Sequence, residues 1–274
     1  MTGSETQDPR AAIAANREAW NAATPHHQRV RGQALRDGFR DPAFTTFDRG
    51  PCDVPLRAVL ETLPLQGTRI AQLQCNNGRE LLSLMLYGAA EGVGFDLSDA
   101  AVAEAKELAA ISGRRCSFVQ SAIEDIGSGY DGRFDFIYVS EGALVWIPDL
   151  RRYFGVAARL LAPGGRLLVY DQHPVTFMFD AGDPASPLAP RRSYFDRGPV
   201  TYRGGLDYYG NVAYDGPTAC EFHHTMGELL TALAGSGLAL RRLEELPHDM
   251  VSGYRAFEQA GQLPLSYLLL AQGG

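Results

Sequence analysis

From Ile70 to Gln172 the chain alternates short apolar runs with helix-length segments, and this periodicity restricts the fold more than any other feature of the sequence. The runs "RIAQLQC", "EGVGFDL", "RCSFVQ", "RFDFIYVS" and "RLLVYDQ" read as strands. Between them, "RELLSLMLYGA", "SDAAVAEAKELAAISG" and "PDLRRYFGVAARLLAPGG" read as helices. Ser98 is a candidate N-cap, Pro148 stands at a helix start, and Gly88, Gly113 and Gly164-Gly165 follow helix ends. Strands alternating with helices of roughly 10–15 residues predict a parallel sheet covered on both faces.

The flanks are less regular. "AAIAANREAWNAAT" reads as a helix with Ile13 and Trp20 on one face, stopped or bent at Pro25. Residues 25–50 read as irregular, and "DVPLRAVLETLPL" as a short helix ending before Pro64. "TMGELLTALAGSGLALRRLEELP" reads as a helix and then a strand, and "LPLSYLLLAQ" as a last strand. No clear helix separates those two strands, so the last is expected to be antiparallel. Residues 173–222 have little period of either kind and are rich in Tyr, Phe, Pro, Gly and Asp, which suggests a functional insertion such as a lid. The expected organisation is a helical amino-terminal segment over residues 1–64 that covers a ligand site, and a catalytic domain over 65–272 with the insertion at about 173–222.

Bulk properties exclude several functions. A chain of 274 residues with formal net charge −7 lacks the basic face for a sequence-independent grip on nucleic acid or an anionic membrane surface. The four cysteines form no CxxC or metal-like cluster, so neither a disulfide framework nor a metal is expected. "MTGSETQDPR" is no secretory signal, and no apolar run reaches the roughly 20 residues that span a bilayer; the expected location is cytoplasmic.

The first strand leads into "QLQCNNGRE". A sharp strand-to-helix turn aims backbone N–H groups at whatever lies above it, and glycines normally line such a turn so that a nucleotide-type ligand can approach. Here only Gly78 remains, with Asn76 and Asn77 in place of others. Asn tolerates the left-handed region, so the turn is feasible, as is a plain core turn. Asp96 ends the second strand eighteen residues after Gly78, where a carboxylate can accept both hydroxyls of an adenosine ribose; its alternative role is to cap the next helix. The third strand leads to Ala122 and Ile123, whose backbone would face an adenine edge. The fourth leads to Ser140 and Glu141, above the carboxyl end of the sheet.

The motifs "LQCNNGRELLSL", "GVGFDLSDAAVAEAKELA", "FVQSAIEDI", "FDFIYVSEGALVWIPDL" and "LLAPGGRLLVYDQHP" together resemble the class I S-adenosylmethionine-dependent methyltransferases, over about Ile70 to Ala271. "NREAWNAATPHH" and "HHTMGELLTALAGSGL" resemble the amino-terminal and post-lid helices of a small-molecule branch of that family. The resemblance implies a Rossmann-like α/β fold with a seven-stranded sheet in the order 3-2-1-4-5-7-6, last strand antiparallel. It implies S-adenosyl-L-methionine as cofactor and S-adenosyl-L-homocysteine as product. The cofactor contacts it implies are Gln74, Cys75, Asn76, Asn77, Gly78, Asp96, Leu97, Ala122, Ile123 and Ser140. Two positions depart from the family pattern: the acidic residue of the first strand is Gln72, and the aspartate that often holds the adenine amino group is Ala122.

Methyl transfer to oxygen or nitrogen needs a proton acceptor. His173, just past the fifth strand, is the first candidate, with Glu141 and His224 beside it; each has an ordinary structural alternative as a turn, loop or helix-terminus residue. His26 and His27 are expected to face solvent. Phe177, Tyr194, Tyr202, Tyr208 and Tyr209 would line a small-molecule site, or a subunit interface in a homodimer. Trp20 would join the lining of that site and pin the amino-terminal helix over the cofactor, or serve as core. The competing readings are a catalytically silent protein that binds the same cofactor, and a nicotinamide-dependent dehydrogenase, for which "CNNG" is a poor pyrophosphate turn.

Overall fold

The computed structural model describes residues 8–180, 188–209, 213–251 and 253–274. Helix α1 (Pro9–His27) runs through a π-helical turn (Gln28–Gly32) into α2 (Gln33–Gly38), and α3 (Asp53–Thr62) follows. Then come β1 (Arg69–Leu73), α4 (Arg79–Leu84), β2 (Glu91–Asp96), α5 (Asp99–Ser112), β3 (Cys116–Gln120), β4 (Phe134–Ser140), α6 (Leu150–Leu160) and β5 (Leu161–Gln172). The insertion carries β6 (Pro199–Tyr202) and β7 (Ala219–Phe222), and the chain closes with α7 (Met226–Gly235), β8 (Ala239–Leu246), α8 (Arg255–Ala260) and β9 (Ser266–Gln272).

Seven strands form one sheet in the order β3-β2-β1-β4-β5-β9-β8, which is 3-2-1-4-5-7-6 when only its own strands are counted. β1–β2, β2–β3 and β4–β5 pair in parallel, and β9 runs antiparallel to both β5 and β8. The expected architecture is therefore present. By internal packing the chain forms two compact units, one drawn from Met1–Asp48, Pro64–Tyr130 and Pro199–Glu221, the other from Arg49–Leu63, Asp131–Gly198 and Phe222–Gly274.

In the first unit, α5 has the ends its sequence encodes. The Ser98 hydroxyl accepts the N–H of Ala101, and Gly113 closes the helix in a left-handed conformation. Helix α1 is tied to this point by two side chains. Arg17 pairs with Asp99 through both carboxylate oxygens at 2.9 Å, and Asn21 accepts the Ser98 hydroxyl at 2.7 Å. A third side chain of α1, Asn16, pairs with the backbone of Cys220: its amide donates to the carbonyl at 2.9 Å and accepts the N–H at 2.7 Å.

In the second unit, the continuous apolar run of β5 is buried on both faces, as a central strand of a doubly covered sheet requires; Leu167, Leu168, Val169 and Tyr170 are fully inaccessible. Burial of one such aliphatic side chain is worth about 1.5–3 kcal/mol. Helix α6 is capped by Asp149, which accepts the N–H groups of Arg151 and Arg152, and it buries Leu150, Tyr153, Phe154, Ala157 and Leu160 along one stripe. Helix α7 opens with a reciprocal capping box between Thr225 and Glu228.

Four local expectations are corrected. Residues 25–38 are not irregular: of the two alternatives at Pro25, a stop is excluded, because the chain stays helical through a π turn that begins three residues after the proline. The insertion is not devoid of regular structure, since β6 and β7 pair as a two-stranded sheet. A one-and-a-half-turn helix, α8, lies in the connection between β8 and β9. His27 does not face solvent; it is 1% exposed.

Candidate functional site

The turn after β1 is built from alternating left-handed residues. Gln74, Asn76 and Gly78 have φ of 55°, 48° and 70°. Two of these three positions carry side chains, so the chain adopts a glycine-type turn at a cost of order 1–3 kcal/mol for each strained residue. The Asn76 side chain offsets part of that cost by accepting the N–H of Asn77 at 2.8 Å. Gly78 cannot be replaced in the same way: a Cβ there would lie 2.3 Å from the Phe118 ring. The Asn77 side chain is buried, and among the described residues neither of its amide atoms has a hydrogen-bond partner.

Three strand ends are stitched together around Asp96. Its carboxylate accepts the N–H of Asn76 at 2.7 Å and that of Ser98 at 2.8 Å, while its carbonyl accepts the N–H of Ser121 at 2.8 Å. The Leu97 carbonyl accepts from the Gln120 amide at 3.1 Å. Burial pushes the Asp96 carboxyl up to about 6, against the pull of the backbone N–H groups of Ser98, Asn76 and Leu97. Gln74 to Gly78, Asp96, Leu97, Ala122 and Ile123 thus fall on consecutive turns at the carboxyl ends of β1, β2 and β3. Cys75 is buried and its thiol is held well above the ordinary range by that burial. At the departing position, the Gln72 amide donates to the Glu80 carboxylate at 3.0 Å inside the unit.

Sequence reasoning missed the centre of the next cluster. The buried His27 ring bonds the Leu206 carbonyl at 2.8 Å through Nε2, and burial lowers its pKa to about 4. Around it stand Tyr208, Tyr209 and Trp20, with ring centroids at 4.5, 5.1 and 6.2 Å. Three of the aromatic residues expected to line a substrate site are therefore gathered on one histidine. Tyr202 instead lies in β6 and donates its hydroxyl to Glu221 at 3.0 Å. Arg31 and Arg79, also absent from the expectations, both donate to the Tyr209 hydroxyl, at 2.8 and 2.7 Å. The available signal was the spacing of His27 and Arg31, one turn apart, once Pro25 is read as internal to the helix.

In the second unit, Ser140 ends β4 and is buried, and Glu141 follows it with a left-handed φ of 41°. Glu141 forms an ion pair with Arg49, which also binds the fully buried Asp53. Beneath the same turn, the buried Asp171 carboxylate accepts the N–H groups of Gly142, Leu144 and Gln172, the last two at 3.0 and 2.7 Å. Burial raises Asp171 to about 6.

The two histidines of this unit differ in what remains available. Both nitrogens of His173 are engaged: Nδ1 accepts the N–H of Val175 at 3.1 Å, which leaves the proton on Nε2 to donate to Glu245 at 2.9 Å. In His224, Nε2 donates to the Ile147 carbonyl at 2.8 Å, which leaves the Nδ1 lone pair as the second function of the neutral ring. Burial lowers the pKa of both. Phe177 stacks on His223 at 4.6 Å, and the Tyr194 hydroxyl accepts the N–H of Met226 at 2.9 Å. Among the described residues no group of three or more His, Cys, Asp or Glu side chains is placed to hold a metal ion. No helix among them is long and apolar enough to cross a membrane.

Comparison with known proteins gives a consistent picture of the fold. Residues 70–165 match the family described as "Methyltransferase domain". No curated protein matches the chain. An S-adenosylmethionine dependent methyltransferase from Mesorhizobium loti is 25% identical over 82% of this chain and 99% of its own, with a TM-score of 0.62. A structure described as a putative S-adenosylmethionine dependent methyltransferase from Listeria monocytogenes is 19% identical over 80% of this chain and 96% of its own, with a TM-score of 0.63. Geranyl diphosphate C-methyltransferase from Streptomyces coelicolor A3(2), solved with Mg2+, geranyl diphosphate and S-adenosyl-L-homocysteine, is 14% identical over 80% of this chain and 78% of its own, with a TM-score of 0.55.

Proposed function

We propose that this protein, whose domain match and fold support an S-adenosylmethionine-dependent methyltransferase enzyme, methylates a small metabolite, with a secondary-metabolite intermediate as the substrate class. Oxygen and nitrogen stand ahead of sulfur and carbon as the acceptor atom. The observation that carries this reading is the clasp between the left-handed turn and the Asp96 carboxylate at 2.7 Å, which presents a sharp turn and an acidic strand end together. The orphaned, buried amide of Asn77 in that turn fits a polar ligand. A geranyl diphosphate methyltransferase of the same fold supports a small acceptor, and the net charge of −7 speaks against nucleic acid.

On this reading Gln74 to Gly78, Asp96, Leu97, Ala122, Ile123 and Ser140 hold the cofactor, residues 1–64 cover it, and the insertion at 173–222 in the domain spanning 65–272 contributes the substrate side. S-adenosyl-L-methionine supplies a methyl group already activated on a sulfonium. The protein's own work is positioning and removal of the acceptor proton. Positioning accounts for up to about 7–11 kcal/mol of a barrier and a general base for about 10²–10⁴-fold. His224 is the proposed base, because its bond to Ile147 fixes the tautomer with Nδ1 unprotonated. Glu141 and His173 are proposed to orient the acceptor and its neighbouring turn, and the aromatic residues Trp20, Phe177, Tyr194, Tyr202, Tyr208 and Tyr209 to exclude water. A cytoplasmic enzyme, with a homodimer as the assembly to test, completes the proposal.

Calorimetry with S-adenosyl-L-homocysteine, followed by turnover on a panel of hydroxyl- and amine-bearing metabolites, tests it. Binding with a methylated product is the expected result. Absence of binding ends the reading, and binding without product from any acceptor favours the silent cofactor-binding protein.

A further inference from the structure

We propose that Arg31, with Arg79 and Tyr209, forms the receptor for the α-carboxylate of the methyl donor. This deepens the methyl-transfer reading and rests on it. Arg31 lies in the π-helical turn, a local irregularity that is frequent at functional sites. It is only 9% exposed, and its Nε has no hydrogen-bond partner among the described residues. Its two remaining nitrogens contact neutral acceptors: Nη1 donates to the Tyr209 hydroxyl at 2.8 Å and Nη2 to the Asn76 side-chain oxygen at 3.2 Å. Among the described residues no carboxylate pairs with it. A guanidinium buried to this degree normally has an anionic partner, and its planar fork matches a carboxylate in two parallel hydrogen bonds.

The location narrows the identity of the missing anion. Asn76 is the middle left-handed residue of the turn after β1, with its own N–H on Asp96. The guanidinium therefore reaches the turn itself. Tyr209 marks the second donor: Arg79 Nη1 also donates to its hydroxyl, at 2.7 Å, and the Arg31 guanidinium lies 4.4 Å from its ring centroid. One neutral oxygen thus accepts from two cations, a position that an anionic oxygen would occupy more favourably. Adenosine carries no carboxylate, whereas the amino-acid end of the donor carries one. Seating that group between Arg31 and Arg79 would fix the donor by its far end and connect donor binding to the insertion through Tyr209.

The test compares S-adenosyl-L-methionine with decarboxylated S-adenosylmethionine, which keeps the sulfonium and the amine, in direct binding to the full-length protein and to Arg31→Gln. The wild type is expected to prefer the carboxylated compound by roughly tenfold to a hundredfold, the range for hydrogen bonds to a charged group. In Arg31→Gln that preference should collapse while affinity for the decarboxylated compound is retained. An unchanged preference overturns the proposal. Should Arg31→Gln not fold, Arg79→Gln and Tyr209→Phe are measured in the same way: a changed ratio in either supports the receptor, and an unchanged ratio in both overturns it. Failure of the wild type to bind either compound removes the methyl-transfer reading as well, so the two failures are distinct.

Discussion

The carboxylate of Asp96 accepts the backbone N–H of Asn76 at 2.7 Å, so the acidic end of β2 holds the turn after β1 in its strained form. One residue thereby shapes the turn, and on the proposed reading its remaining lone pairs hold the ribose of the donor. Asp96→Asn places an amide where two backbone N–H groups already point, and donor affinity should fall by about tenfold or more. The pH behaviour follows from the raised value of about 6. Donor binding should weaken as pH drops through 6 and the carboxyl takes up its proton. Stability has the opposite sign: a carboxyl whose folded pKa exceeds 3.8 binds more protons in the native state, so its contribution is largest in acid and declines as pH rises from about 4 to 6. Calorimetric titration and denaturant melts across this window, on wild type and Asp96→Asn, check both slopes.

Gly78 and Gln74 share a backbone conformation but not an environment. Gly78→Ala combines φ of 70° with a Cβ 2.3 Å from the Phe118 ring and should destabilise by about 2–4 kcal/mol. Gln74→Gly relieves a left-handed non-glycine residue and should be neutral or stabilise by up to about 1 kcal/mol. Chemical denaturation of the two variants decides; equal effects would show that strain in this turn is not what separates them.

His27 gives the molecule an acid-sensitive point. Its folded pKa of about 4 lies below the ordinary 6.5, so the native state binds fewer protons than the unfolded state between these values. Stability tied to this residue is complete above pH 6.5 and is lost as pH falls toward 4. In His27→Gln, the acid-side loss should shrink, and the melting temperature between pH 7 and pH 4.5 should fall less steeply than in the wild type.

Arg49 is the partner of a carboxylate that has no access to water. It reaches Asp53 with Nε at 3.0 and 3.2 Å and with its backbone N–H at 2.7 Å, while Asp53 is fully buried. Arg49→Met should cost about 3–5 kcal/mol, the range for breaking a buried pair from one side. Glu141→Gln, which removes a second carboxylate paired with Arg49, should cost far less because Glu141 is only partly buried. Urea melts of both variants separate the two ion pairs.

The parts of this fold that were legible in the sequence are those written locally. The strands of the large sheet, the Ser98 cap and the left-handed Gly113 depend on residues within a few positions of one another. Asp96 was legible as the acidic end of a strand eighteen residues after Gly78, whereas its bond to the Asn76 N–H was not. His27 was not, because its burial is produced by Leu206, Tyr208 and Tyr209, almost two hundred residues away in the chain. The helical state of residues 25–38 was hidden for the same reason: packing of this segment outweighs the helical hydrogen bond lost at Pro25. β6 and β7 were hidden because two four-residue strands leave almost no period to detect.

The side chain of Asn16 meets the N–H and the C=O of Cys220 as a neighbouring peptide unit would. It therefore occupies a place that another polypeptide could otherwise use to extend the small ribbon. An exposed ribbon margin invites recruitment of foreign chain and uncontrolled growth. By plugging that margin with one amide, the amino-terminal helix protects the ribbon against adhesion at this point.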